Sequence, residues 1–258
     1  MFKTITELFV YREMLISLVR KDLRTRYRGS FLGFLWTFIN PLMMLVIYSI
    51  VFSYIFRVQE KNYSMFLFVA LLPWTFFQSS LMSCTTSITG GGGLIKKNYF
   101  PRIILPLSMV TSGLMNYLYG LFIMFAALII SGIPMTLNIL YLPGIIFIEY
   151  LLIVSLGIFF SALNVYFRDL EHILGVVFMA WFYLTPVLFR LDMVPKKLAQ
   201  LIMLNPVTPI ILSIRDVLYY GRPPEILMLA YVFAAALILL VIGVLVFDRL
   251  QRNFAEEV

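Results

Sequence analysis

Arg20 to Pro41 reads RKDLRTRYRGSFLGFLWTFINP, a basic segment that runs without a linker into an apolar one. Arg20, Arg24 and Arg28 recur at i, i+4 and i+8, so on a helix they form one cationic stripe. Leu8, Tyr11, Leu15 and Leu18 fall on an apolar stripe of the same helix, the pattern of a helix lying in a membrane surface. From Phe31 to Phe56 no side chain carries a charge. At about 1.5 Å per residue that run is long enough to cross a hydrocarbon layer of about 30 Å. The basic segment places the start of this span on the cytoplasmic side.

The rest of the chain has the same character. Of its 258 residues 62% are hydrophobic and 13% charged, and the mean hydropathy is +0.95. A soluble domain of this length has no interior large enough for so much apolar surface, so the composition is that of a multi-pass membrane protein. The apolar run after the basic segment is too long for a cleavable leader, which predicts an uncleaved first span. Cys84 is the only cysteine, so no internal disulfide forms, and it is expected as a small apolar residue inside the second span. The net charge of +7 sits beside the spans and suits anionic headgroups better than nucleic acid.

Apolar runs between charges predict six spans, at about 31–56, 64–88, 103–131, 139–163, 173–189 and 228–247. An even number puts both termini on one side. Thirteen Lys and Arg then lie on that side and seven on the other, which predicts cytoplasmic termini. The last external connection, 190–227, contains MVPKKLAQLIMLNPVTPIILSIRDVLYYG, short apolar runs broken at Pro195, Pro206 and Pro209. Such a pattern predicts short re-entrant or interfacial helices, acting as a gate over a pathway or resting on the outer surface.

Two cytoplasmic connections are candidates for chemistry or docking. GGGGLIKKNYFPR, Gly90 to Arg102, lacks the Gly-Lys-Ser/Thr of a phosphate loop and reads as a mobile hinge. Leu94, Ile95, Lys96, Lys97, Asn98, Tyr99 and Phe100 follow it as a short amphipathic helix stopped by Pro101. That helix is either a docking element for a partner groove or a charged span flank. NVYFRDLEHI, Asn164 to Ile173, gathers Arg168, Asp169, Glu171 and His172. One His with two carboxylates is too sparse for a metal or an acid-base site, so no metal and no catalytic residue are expected.

Glu149 is the one carboxylate inside an apolar run. It reads as a structural residue facing the bundle or an interface ahead of a proton relay, since no complementary intramembrane cation accompanies it. Tyr48, Phe52, Trp74, Phe77, Tyr117, Tyr119, Trp181 and Tyr183 are candidates for an aromatic pathway on which sugar rings slide, or for packing and interface belts.

Six blocks in order, YRGSFLGFLWTFINPL (27–42), LLPWTFF (71–77), YFPRIILP (99–106), NVYFRDLEHI (164–173), LNPVTPIILSIRD (204–216) and FDRLQRNFAE (247–256), resemble the ABC-2 type permease family. Its nearest branch is the exporters of O-antigen, capsule or teichoic acid chains. The resemblance implies one all-α transmembrane domain over 1–258: a cytoplasmic interface helix at 1–29, spans one to five over 30–190 with a coupling helix at 94–100, external gate helices at 191–227, and span six with a cytoplasmic tail at 228–258. It implies a homodimer working with two copies of a separate ATP-binding subunit, which would hold ATP and magnesium; no cofactor is expected in this chain. By the same resemblance residues 94–100 dock on that subunit, with Arg168, Asp169, Glu171 and His172 adding to the contact. Arg20, Arg24, Arg26 and Arg28 would meet the phosphate of a lipid-linked glycan at the entrance. Export of a drug or small lipid, and ATP-independent secondary transport, remain as alternatives.

Overall fold

The computed structural model describes residues 9–26, 31–51, 62–97 and 100–257, and among them all regular structure is helical. Helix α1 (Arg12–Arg26) precedes α2 (Trp36–Ser49), α3 (Tyr63–Thr85), α4 (Gly92–Lys97), α5 (Ile104–Ile130), α6 (Leu142–Tyr166), α7 (Leu170–Tyr183), α8 (Lys196–Leu204), α9 (Val207–Arg215), α10 (Ile226–Leu250) and α11 (Phe254–Glu257). Helices dominate for a physical reason: a helix satisfies its own backbone hydrogen bonds, which hydrocarbon cannot do for it.

Four of the six expected spans are helices long and apolar enough to cross a membrane. These are Tyr63–Thr85, Ile104–Ile130, Leu137–Tyr166 including a leading 3-10 turn, and Ile226–Asn253 including a trailing one. Among the described residues the first and fifth are represented by shorter helices. Helices α2 and α7 have 14 residues each, about 21 Å at 1.5 Å per residue. Pro186 stands just beyond the end of α7 and biases the chain before it away from helix, so the expected run to 189 stops early. Residues 52–56 of the first expected span lie outside the described residues.

The connection between residues 190 and 227 contains two short helices. Helices α8 and α9 meet at 104° across Asn205 and Pro206. Asn205 turns the corner by accepting the Val207 N–H at 3.0 Å and donating to Thr185 Oγ1 at 2.9 Å. After α9 the chain continues as a π-turn, Asp216–Tyr220, and ends at Gly221, whose φ of 66° is left-handed.

Helix α6 packs between α10 and α3. Close approach at small residues makes both seams. A Cβ on Gly243 of α10 would lie 2.9 Å from the carbonyl oxygen of Ser155, and Ser155 Oγ donates across the seam to Ala236 O at 2.8 Å. On the opposite face a Cβ on Gly157 would lie 2.5 Å from Cys84 Sγ. Cys84 is fully buried in α3, as its sequence context predicted, and its thiol donates to Pro106 O of α5 at 3.4 Å. Helix α3 is the enclosed axis, whereas α10 leaves Leu227, Ile238 and Leu245 exposed.

Arg215 locks the broken connection onto this bundle. It is 2% exposed, yet the sequence counted it merely as a loop cation. Its guanidinium donates to Pro186 O and Val187 O at 2.9 Å each and lies over the Phe66 ring at 3.7 Å. Burial lowers its pKa to about 10, opposed by Tyr220, Tyr63 and Asp216, so it stays charged at neutral pH. The only advance sign was a lone cation closing the apolar run of α9.

Two stability effects follow. Gly243→Val forces α6 and α10 apart and destabilises the solubilised protein by about 1–3 kcal/mol, while Ser155→Ala costs about 0.6 kcal/mol. Thermal unfolding in detergent measures both, and a Gly243→Val protein as stable as the parent contradicts the seam. Arg215→Leu strands two carbonyls and costs about 2–3 kcal/mol, read as earlier unfolding and faster proteolytic nicking between residues 190 and 227. Arg215→Lys should recover only part, because Lys lacks the planar fork.

Candidate functional site

Three regions gather the residues singled out in the sequence. The first is one pole of the bundle, where α4, the α6–α7 turn and the chain after α10 meet. Helix α4 begins two residues earlier than predicted, at Gly92. The glycine run is not an open hinge: Gly90 ends the helical turn Ser87–Gly90, and Gly92 and Gly93 open α4. Its backbone is satisfied locally, with Gly90 N–H donating to Thr86 O and Leu94 N–H to Gly91 O, both at 2.9 Å.

The predicted docking residues split by face. Ile95 and Phe100 are buried in the core, Leu94 is half-buried, and Lys96 is exposed. Asn98, Tyr99 and the Lys97 side chain lie outside the described residues. The second connection is linked to α4 through α11, which touches both α4 and α6. Arg168, Asp169 and His172 are exposed, Glu171 pairs with His172 at 3.6 Å, and Arg168 donates to Glu257 O at 3.2 Å. A groove of roughly 610 Å³ runs here, lined by Tyr166, Arg168, Asp169, Ile173 and Glu257. Among the described residues no group of three or more His, Cys, Asp or Glu is placed to hold a metal.

The second region is α1. Its polar face presents Ser17, Arg20, Lys21, Arg24 and Thr25 along an outward groove of roughly 570 Å³. Its other face packs Tyr11, Met14 and Leu18 on the core, and Asp22 accepts a hydrogen bond from Ser112 Oγ of α5. The predicted amphipathicity is present, but the apolar side meets α5 in addition to any membrane surface. Leu8, Arg28 and the Arg26 side chain lie outside the described residues.

The third region is the aromatic set. Trp74 and Phe77 are buried in a cluster with Phe178, Trp181 and Phe182, with ring centroids 5.2–5.9 Å apart. They pack on one another within one chain. Tyr117 stacks on Phe76 at 4.9 Å and lines a cavity of roughly 240 Å³ between α2, α3 and α5, with Trp36, Asn40, Thr75 and Asn116. Tyr48 and Trp181 are half-buried, Tyr119 packs near Phe38 at 5.9 Å, Tyr183 is exposed, and Phe52 lies outside the described residues. Glu149 faces the bundle interior at 1% exposure, and among the described residues neither of its carboxylate oxygens, nor the Tyr117 hydroxyl, has a hydrogen-bond partner.

At the opposite pole the broken connection encloses a cavity of roughly 680 Å³ whose lining includes Arg190, Asp192, Asp216, Arg222 and Glu225. Its charges are largely self-compensating. Arg190 pairs with Asp192 at 2.6 Å and Arg222 with Asp216 at 2.7 Å. Burial raises the Asp216 pKa, and its hydrogen bond from Arg222 opposes that shift. Thr136 and Asn138 both donate to Gly221 O, at 3.2 and 2.7 Å, tying the connection to the α5–α6 loop.

Known proteins are similar to this chain over most or all of its length. The model of the ABC-2 type transporter family matches residues 13–219. The chain is 35% identical over 260 residues to the O-antigen export system permease protein RfbA of Myxococcus xanthus, covering 100% of both chains. It is 35% identical over 245 residues to the protein of that name from Klebsiella pneumoniae, covering 95% of this chain and 94% of the relative. The polysialic acid transport protein KpsM of Escherichia coli is 23% identical over 232 residues, covering 88% and 89%. The family match runs from α1 to the π-turn after α9, and the relative at 35% identity extends the likeness through α10 and α11, so the chain belongs to the ABC-2 type transporter family.

Proposed function

We propose that this chain is the membrane-spanning permease subunit of an ATP-driven exporter that moves a lipid-linked polysaccharide of the O-antigen or capsule type out of the cytoplasm. The observation that carries the reading is the full-length likeness to O-antigen export permeases at 35% identity. The multi-pass helical bundle supports it. In this reading the chain works as a homodimer, with two copies of a separate subunit that binds ATP and magnesium and does the hydrolysis.

The permease lies in the bacterial cytoplasmic membrane with six crossings, α2 and α7 among them. The pole carrying α4, Arg168 and the chain after α10 faces the cytoplasm, in line with the excess of Lys and Arg on that side. There Leu94 and Lys96 of α4, with Arg168, Asp169, Glu171 and His172 beside them, meet the ATP-binding subunit, while Ile95 and Phe100 anchor the contact to the core. The basic face of α1 attracts the phosphate next to the carrier lipid. Tyr48, Tyr117 and Trp181 remain as pathway aromatics, and the bent α8–α9 pair acts as the outer gate. ATP binding by the partner pushes on α4 and shifts the two permeases between states.

Two measurements test this. With Arg20 and Arg24 both changed to Glu, each position loses about 1 kcal/mol of attraction to anionic headgroups and gains repulsion, so export falls at least about tenfold. Membrane insertion and partner assembly stay intact, and unchanged export rejects the entrance role. Native permease should also co-purify with a Walker-motif ATPase whose turnover rises with lipid-linked glycans. No association with any ATPase overturns the proposed function, and stimulation by small lipids alone overturns the substrate.

A further inference from the structure

The chain after α10 is tied to both connections proposed to dock the ATP-binding subunit. Carbonyls at the end of this helix receive side-chain donors, as the negative end of a helix favours. Tyr166 Oη, at the end of α6, donates to Leu250 O at 2.9 Å, and the Arg102 guanidinium, just after α4, donates to Gln251 O. Arg168 adds its bond to Glu257 O. Phe254 closes the junction with no exposed surface. Its ring meets Phe247 edge-on at 5.5 Å, tilts toward Tyr166 at 6.4 Å and sits beneath the Arg102 guanidinium at 5.8 Å. Helix α11 touches both α4 and α6.

A six-residue helix is too short to hold its own position, and a packed core transmits displacement where a flexible loop absorbs it. We propose that Leu250–Glu257 is a brace that fixes α4 and the Tyr166–Leu170 turn into one rigid docking platform, with Phe254 as its positioning residue. A push on α4 then reaches α6 and α10 together, and the partner subunit meets one surface in place of two independent loops. The proposal rests on the docking reading above.

The permease by itself tests the brace. Spin labels on Gly93→Cys and Phe167→Cys, in a Cys84→Ser background, report the separation of the two connections. With labelled chains diluted into unlabelled ones, the native brace gives one narrow distance within a chain, and Phe254→Ala broadens it while Phe254→Leu largely restores it. Arg102→Leu carries the same measurement if Phe254→Ala is lost from the membrane. In the complex with the ATPase, both Phe254→Ala and Arg102→Leu keep the partner bound, but export per ATP hydrolysed falls roughly fivefold or more, the lower end of typical coupling between sites. An unchanged distance distribution, or an unchanged ratio of export to hydrolysis, overturns the brace. Labels that respond as expected in a permease whose native form captures no ATPase support the brace as a structural tie and overturn the docking reading.

Discussion

Helices surrounded by lipid gain little from burying apolar side chains against one another, because the lipid is as apolar as the partner helix. Everything in this bundle depends on what replaces that driving force: backbones brought close at small residues, and hydrogen bonds donated across the seams. Helix α6 shows both devices. Gly157 admits Cys84 on one side, and Ser155 on another gives its carbonyl to the approach of Gly243 and its hydroxyl to Ala236. The thiol of Cys84 carries the network on to α5 through Pro106.

The two poles extend the same logic to the places where helices end. At one, Arg215 supplies donors to Pro186 and Val187 and stacks on Phe66, so a basic side chain becomes the fastening of the broken connection. At the other, Arg102 and Tyr166 donate to the carbonyls that close α10. Both arrangements use the fixed fork of arginine or the stiff ring of tyrosine, which lose little freedom when they bind. Between the poles the helices are apolar and closely packed, a construction suited to moving as rigid bodies. Among the polar exceptions, Glu149 and the Tyr117 hydroxyl sit inside the bundle with no hydrogen-bond partner among the described residues.

Much of this was legible beforehand. The four long helices follow from runs of uncharged residues, the corner between α8 and α9 from Pro206, and the two faces of α1 from its periodicity. Cys84 lies where a small apolar residue was expected. Other features depended on context. The Gly90 to Gly93 run reads as flexible in isolation, yet helical turns on either side hold it, because local carbonyls accept the N–H groups of Gly90 and Gly91. Trp74 and Tyr117 look alike in sequence, but the first is locked in a ring cluster and the second lines a cavity. Arg215 looked like a loop charge because its acceptors lie nearly thirty residues earlier in the chain.

By itself, then, the sequence determined the class of the protein, the course of its long helices, where they break, and through the order of its motifs the family. Hydropathy, proline and short-range periodicity act within a turn or two of helix, so they are written locally. Only the tertiary structure decided which face of each helix is shared and with what. It turned Arg215 into an anchor, set Ile95 and Phe100 inward with Lys96 outward, and brought Phe254 under Arg102 beside Tyr166. Those outcomes depend on groups distant in the chain meeting at a few ångströms, a relation that no local pattern contains.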